Sequence, residues 1–589
     1  MYLRHTTIKK DGKVHRYWRL VESIRLGGRV IQRTVAQLGD LTKVEAKRAQ
    51  AFALKAVGQP EQKKLFDDGC RDVVVPVKLK GVKVERSRRF GDVYLALVLW
   101  WTLKFDEFWG GKIERERAGV TWEKVVATLV CARLCEPSSE LHIAEDWFRR
   151  TALPDLLQVS EEEMNKDRLY RALDLMIKHK AALERHLSQR AGELFAREND
   201  ILLYDMTSTY FEGKAEGNSK AKRGYSRDHR PDCKQVCVAV VVTFDGFPLG
   251  YETFAGNTHD STTVKHIVET METRHGTVGR VWVMDRGMVS RDNITWFKET
   301  GRQYLVGTPK SELKRWEAAL VEKNDWETIR DGIEVKLCKD GNNDEEIFIL
   351  CRSRDRVEKE KAMHVLFSTR IETSLVKLKD RIERSTRRLN RDVINRQIGR
   401  IMQRNQRAAA RFDISLVDDA SPAGFYLHVT IDERFDEWAE LSEGTYVLRT
   451  NVKKWTHERL WKTYIQLTQA EAAFRIQKDE LSIRPIWHQR EDRVNAHILV
   501  CFLAFAMWKT LESWQSTSGL GNSPRTILEE MARIQSHDVI LPTTMGTNIR
   551  LRCIAHPDEA QSAILARLGI IMPKRMRISD LPEKIVLRS

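Results

Sequence analysis

Two short, wholly apolar runs, each ending in aspartate, constrain this chain more than any other feature. Ile201-Leu202-Leu203-Tyr204 leads into Asp205, and Val281-Trp282-Val283-Met284 leads into Asp285. Four apolar residues in a row with no polar alternate read as strands buried on both faces, which the interior of an α/β sheet provides. Around them the pattern is β-β-β-α-β-α-β. Lys234 to Phe244 is a Val-rich strand, Asp245-Gly246 a hairpin turn, and Phe247 to Phe254 a third strand. Asp260 can cap a helix from Ser261 to about Arg274. After the second Asp strand come a helix (Asp292 to Glu299) and a strand (Gln303 to Gly307). An antiparallel meander running into parallel strands through crossovers gives a mixed α/β fold class.

The flanks read differently. Residues 1–40 form a small basic β-meander, with hairpin turns at Asp11-Gly12 and Gly27-Gly28. Thr42-x-x-Glu45 opens a helix to about Val57, and 58–76 is linker-like. Residues 41–200 make a helical region. In it the helices Trp122–Cys135 and Glu140–Arg150 flank a tight turn, as either a helix-turn-helix or plain packing. After the first part of the core (201–310), residues 311–455 alternate strand pieces (Trp326–Cys338, Ile347–Arg352, Phe425–Ile431, Gly444–Arg449) with a polar helical stretch, Asp355 to Ala410. Residues 456–512 return as helices: Thr468-x-x-Glu471 is a capping box, and Ala496–Thr510 is apolar. Residues 513–589 form a last small α/β module.

Composition excludes several classes. The 42% hydrophobic content rules out a disordered scaffold, and a net charge of +16 points to a polyanion partner. The start of the chain, Met1 to Lys13, is polar, and the longest apolar run, Ile498–Trp508, falls short of the roughly 20 residues of a spanning helix. No membrane association is expected. Nine Cys, an odd number, suit a reducing cytoplasm. Cys131/Cys135 and Cys233/Cys237 lack the two-residue gap of a zinc knuckle. No Gly-x4-Gly-Lys-Ser/Thr loop is present, so no nucleotide cofactor is expected.

An ionised Asp directly after a buried strand points into the crevice at the sheet end. Two such charges need a partner, and a divalent cation is the natural one; an ordinary strand-end cap is the alternative for either alone. Glu471 is a third candidate. On a regular helix Arg475 and Lys478 fall on its face, one carboxylate flanked by two phosphate-binding cations, or else a solvated ion-paired face.

The order Asp205, Asp285, Glu471 resembles the DDE transposases of bacterial insertion sequences. Tyr464-x2-Leu467-x3-Glu471-x6-Lys478 is similar to the Tyr-x2-Arg-x3-Glu-x6-Lys signature of the insertion-sequence-four superfamily. The words Asp205–Phe211, Gly224–Asp228, Gly256–Thr262, Asp285–Met288 and Arg484–His488 are similar to family words, best to the branch named for element sixteen-thirty-four. Leu467 replaces the signature Arg, with Arg475 able to supply its charge, and Ser290 replaces an aromatic. The resemblance implies an RNase H-like catalytic core interrupted by a mostly β insertion with an Arg-rich helix. It implies two Mg2+ ions on Asp205, Asp285 and Glu471, with Mn2+ able to substitute. It implies binding of terminal inverted repeats, cutting of the double-stranded DNA ends, and joining of the 3′-hydroxyl ends to target DNA. A homodimer on DNA, in the cytoplasm at the nucleoid, follows from the same likeness. The rival readings are a domesticated, non-catalytic DNA-binding protein and an RNase H-fold nuclease without strand transfer.

DNA contacts are expected from Tyr464, Arg475 and Lys478, and from Arg223, Arg227 and Arg230 in the loop Lys222–Arg230. The charge is also localised. Residues 1–40 carry +6 and residues 381–411 carry +8, ten Arg against Glu383 and Asp392, including Arg388, Arg391, Arg400 and Arg404. Asp260 is a possible fourth carboxylate as well as a helix cap. His488 and His497 are weighed between DNA contact and structural hydrogen bonding.

Overall fold

A computed structural model describes residues 2–10, 13–26, 29–40, 75–113, 119–195, 201–276, 279–340 and 343–576. In chain order, β1 (Tyr2–Lys10), β2 (Lys13–Leu26) and β3 (Arg29–Asp40) form an antiparallel meander. Its two turns, the helix expected from Thr42 and most of the linker lie outside the described residues. β4 (Lys83–Arg89) precedes α1 (Gly91–Thr102), α2 (Trp122–Cys135) and α3 (Lys166–Met176). Then follow β5 (Ile201–Tyr210), β6 (Gln235–Thr243), β7 (Pro248–Ala255), α4 (Asp260–His275), β8 (Val281–Met284), α5 (Arg291–Glu299) and β9 (Gln303–Gly307). Next are β10 (Glu327–Arg330), β11 (Ile333–Asp340), β12 (Asn343–Ser353), α6 (Arg354–Glu383), α7 (Arg391–Arg404), β13 (Phe412–Asp418), β14 (Phe425–Ile431) and β15 (Thr445–Thr450). The chain closes through α8 (His457–Ile465), α9 (Leu467–Arg475), α10 (Glu491–Ser518), α11 (Pro524–Ala532), β16 (Gln535–Pro542), β17 (Asn548–Ile554), α12 (Glu559–Leu568) and β18 (Arg575–Met576).

The chain divides into two units. One comprises residues 195–207 and 237–472. Its mixed sheet has the order β10-β11-β12-β15-β9-β8-β5-β6-β7. β8 is parallel to both β5 and β9, while β15, β12, β11 and β10 add on antiparallel. The parallel strands sit in the middle, where both faces are covered, and this is why β8 and the start of β5 are uninterrupted apolar runs. The turn before β7 is built by Gly246, whose positive φ of 80° suits a residue with no Cβ.

Two expectations change here. β5 does not end at Tyr204 but continues to Tyr210, burying Thr207, Ser208 and Thr209. Residues 311–455 are not a separate β insertion, because β10, β11, β12 and β15 extend the central sheet. Only α6, α7 and the β13–β14 hairpin stand apart, around their own core of Ile371, Leu375, Ile394, Phe412 and Leu427. The helical stretch expected over 355–410 breaks between α6 and α7, where Asn390 accepts the backbone N–H groups of Asp392 and Val393 and starts a new helix.

The other unit comprises residues 1–194, 208–236 and 473–589. Its centre is α10, which runs well beyond the expected Ala496–Thr510 and packs on α1, α2 and α3. α10 is long and apolar enough to cross a membrane, but 89% of its apolar window is buried within the protein. The C-terminal module is not self-contained. Its sheet order is β18-β17-β16-β4, so an edge strand comes from within residues 41–200. α2 is buried along most of its length, and the helical segment after it exposes Leu141, His142, Glu145, Asp146 and Arg149.

Candidate active site

Asp205 and Asp285 are neighbours because their strands are. Tyr204 lies opposite Met284 in the parallel β5–β8 ladder, so the two aspartates follow at the next step, about 4.8 Å apart at ordinary strand spacing. Side chains alternate along a strand. Leu202, Tyr204, Trp282 and Met284 all enter the core formed with α4 and α5, so Asp205 and Asp285 belong to the opposite face. Asp205 is thus at the end of the β5–β8 pairing rather than at the end of β5. The row continues: Met284 lies opposite Val306, which sets Gly307 beside Asp285.

α8 brings Tyr464 to this row. Its hydroxyl donates to Asp285 Oδ1 at 3.2 Å. Gly307 makes room for it, since a Cβ there would stand 2.2 Å from Tyr464 Oη. Burial, and then the charge of Asp285, push the Tyr464 phenol above its ordinary pKa, so it stays a protonated donor. Asp205 Oδ1 accepts the Met206 N–H at 2.8 Å. Asp285 is exposed and opens a short 3-10 turn, Arg286–Met288.

Glu471 lies in the middle of α9 and is exposed. Thr468 does not cap this helix; it sits inside α9 and its hydroxyl donates to Ile465 O at 2.9 Å. Leu467, in the place of the signature Arg, is 8% exposed and serves packing. The structure brings Asp205 and Asp285 together; it does not bring all three carboxylates within 4.8 Å of one another, and among the described residues the set that meets this measure is Glu140, His488 and His497. Two adjacent oxygen donors with solvent access fit a hard divalent cation such as Mg2+, which uses one or two carboxylates and keeps water ligands.

The expected DNA-contact residues divide by environment. Arg475 and Arg223 are exposed. Lys478 is not free: its ammonium donates to Asp228 Oδ1 at 2.8 Å, and its side chain is 10% exposed. Arg484 binds the same oxygen, and the Asp228 side chain is only 2% exposed. Burial lowers the Lys478 pKa, with Asp228 opposing. Lys478 follows α9 in a π-helical turn, Ile476–Glu480, so the spacing rule of a regular α-helix does not apply to it. The Arg227 N–H donates to Ser208 Oγ at 3.3 Å. Arg230 is paired with Asp232 and Glu212 and lies over the Tyr210 ring. Arg388, Arg391, Arg400 and Arg404 are all exposed, with Arg391 paired to Asp418 at 2.7 Å.

The remaining candidates resolve locally. His259, not Asp260, is the N-cap of α4, and Asp260 is its first residue. Asp260 Oδ2 lies 3.6 Å from the place a Cβ on Gly287 would take, facing the turn after Asp285. Ser290, where the family word has an aromatic, caps α5 by accepting the Asn293 N–H at 3.1 Å. His497 is buried and His488 half-buried beside Glu140. Sequence reasoning missed Asp228 and Gly307. Asp228 sits in a loop read for its cations, and only strand register points to Gly307.

The family model described as "Transposase DDE domain" matches residues 197–507, and that described as "IS1634 family transposase, N-terminal domain" matches residues 3–63. No curated protein matches the chain.

Proposed function

Given that the chain belongs to the DDE transposases, in the IS1634 branch, we propose that it binds the terminal inverted repeats of its element, cuts the DNA there, and joins the 3′-hydroxyl ends to target DNA. The observation that carries this reading is the row Asp205, Asp285, Gly307 with the Tyr464 hydroxyl on Asp285. In this reading the β5–β8–β9 sheet is the RNase H-like core, and α6, α7 and the β13–β14 hairpin are the inserted body.

Asp205 and Asp285 would hold the divalent cation, with Glu471 as the third carboxylate of the set. Bound Mg2+ supplies Lewis acidity at the scissile phosphate and a lowered pKa for bound water. Tyr464 orients the Asp285 carboxylate through its hydrogen bond to Oδ1. Arg475 and the Arg residues of α7 neutralise DNA phosphates. The protein works as a homodimer on double-stranded DNA, at the nucleoid in the cytoplasm.

Asp285→Asn tests the assignment. It removes cleavage of terminal-repeat DNA in Mg2+ and in Mn2+ while DNA binding persists; a variant that still cuts would exclude Asp285 as a metal ligand. Strand joining is tested separately. Product covalently joined to target DNA supports transposition, whereas cutting with no joined product would reduce the protein to a nuclease.

A further inference from the structure

Glu140 lies some 350 residues before His488 and His497, yet the ligand atoms of the three all lie within 4.8 Å of one another. Glu140 opens the helical segment after α2, His488 lies in the loop before α10, and His497 is on the second turn of α10. All three belong to the unit that lacks the aspartate row. The cluster is buried: Glu140 and His497 are each 6% exposed, and the His488 side chain is 10% exposed.

We propose that these three side chains form a second metal site, for a single transition-metal ion such as zinc, separate from the carboxylate site. Two imidazoles and one carboxylate are a zinc donor set with a fourth position left to water. His488 Nε2 and Glu140 Oε1 are 3.2 Å apart. That is a hydrogen-bond distance, and it is also the edge of a tetrahedron with metal–ligand bonds of about 2.0–2.1 Å, roughly 3.3 Å. The ion takes the place of the shared proton, and the His488 ring carries its proton on Nδ1.

His497 has one ring nitrogen committed to the backbone. Its Nε2 lies 3.2 Å from Ile483 O, an acceptor only, so the proton is on Nε2 and the lone pair on Nδ1. A histidine that donates its other nitrogen to a backbone carbonyl is the usual orientation of a metal-bound ring. Arg133 opposes a cation, but its guanidinium is turned to the carbonyl oxygens of Ser482 and Ser138 at 3.3 and 3.4 Å. Burial and nitrogen donors select a soft or borderline ion over Mg2+, which dehydrates reluctantly and prefers oxygen. The ion would tie the start of the helical region to α10 across some 350 residues of chain.

The test uses the full chain, stripped with a chelator and titrated with Co2+ without DNA. The expected result is one equivalent of four-coordinate Co2+, read by its intense visible absorption, in the wild type and equally in Asp285→Asn. His497→Asn and Glu140→Gln should each weaken that binding at least about tenfold. Each variant is checked for its fold by circular dichroism, and His488→Asn replaces any that does not fold. Zn2+ should raise the wild-type Tm and leave that of the variants unchanged. A four-coordinate spectrum that survives His497→Asn, or none in the wild type with excess Co2+, would overturn the proposal. Loss of the signal in Asp285→Asn alone would assign the ion to the carboxylate site instead.

Discussion

Gly307 shows how much one missing side chain can decide. It stands beside Asp285 in the parallel row, and the Tyr464 hydroxyl occupies the space its Cβ would need. Gly307→Ala should cost about 1–3 kcal/mol by overpacking and lower the cleavage rate by displacing Tyr464. Adding Tyr464→Phe should recover part of the stability but not the rate. Urea unfolding of the two single variants and the double variant measures this, and additive losses would mean the two groups do not meet. Asp228 is a second such residue. It holds Lys478 and Arg484 on one buried oxygen, and Oδ2 has no hydrogen-bond partner. Asp228→Asn leaves Lys478 without its counter-charge, while Arg484 keeps Asp479 at 2.9 Å, and should destabilise by about 3 kcal/mol. A loss below about 1 kcal/mol in the same measurement would contradict the burial argument. The Asp-ended strands were legible from residues alone, because a charge after four apolar residues has few explanations. Asp228 and Gly307 were not, because their partners lie far along the chain.

At the level of elements, the strands of the central sheet are tied by more than ladder hydrogen bonds. Glu346 on β12, with a fully buried side chain, accepts from Arg449 on β15, Lys298 at the end of α5 and Tyr304 on β9. Burial raises its pKa, but these hydrogen bonds and the Arg449 charge outweigh it, and the group is held at about 2 against an ordinary 4.5. A carboxyl with a depressed folded pKa stabilises above its unfolded pKa and loses that contribution as pH falls through the folded one. Glu346 therefore contributes about 3 kcal/mol at neutral pH, lost between about pH 4.5 and 2. Glu346→Gln should flatten the stability curve in that window, as measured by urea unfolding at a series of pH values. An unchanged acid limb would mean other carboxylates set it. Helices and strands of this unit were largely readable from periodicity. Their assembly was not: the strand pieces after residue 311 carry no sign that they join the central sheet, because strand order depends on which edges are free after the core has formed.

For the whole molecule the net charge of +16 acquires a location. Part of it stands on α7, as Arg391, Arg400 and Arg404, with Arg388 just ahead, all exposed. Changing these four to Gln should weaken DNA binding and make the slope of log K against log[salt] shallower by about 0.9 for each phosphate no longer neutralised, up to roughly 3.6. Binding isotherms at several salt concentrations measure this, and an unaltered slope would make α7 a solvated face. The order of residues was enough for the α/β class, the two buried strands, their aspartates and the family, because apolar runs, turn residues and short words are local properties of the chain. It took the folded arrangement to set Asp205, Asp285 and Gly307 in one row, to bond Tyr464 to Asp285, to hold Lys478 on Asp228, and to bring Glu140 to two histidines some 350 residues away. Each of these depends on strand register or on packing between distant segments, where the interaction energy belongs to a pair and neither residue carries its mark.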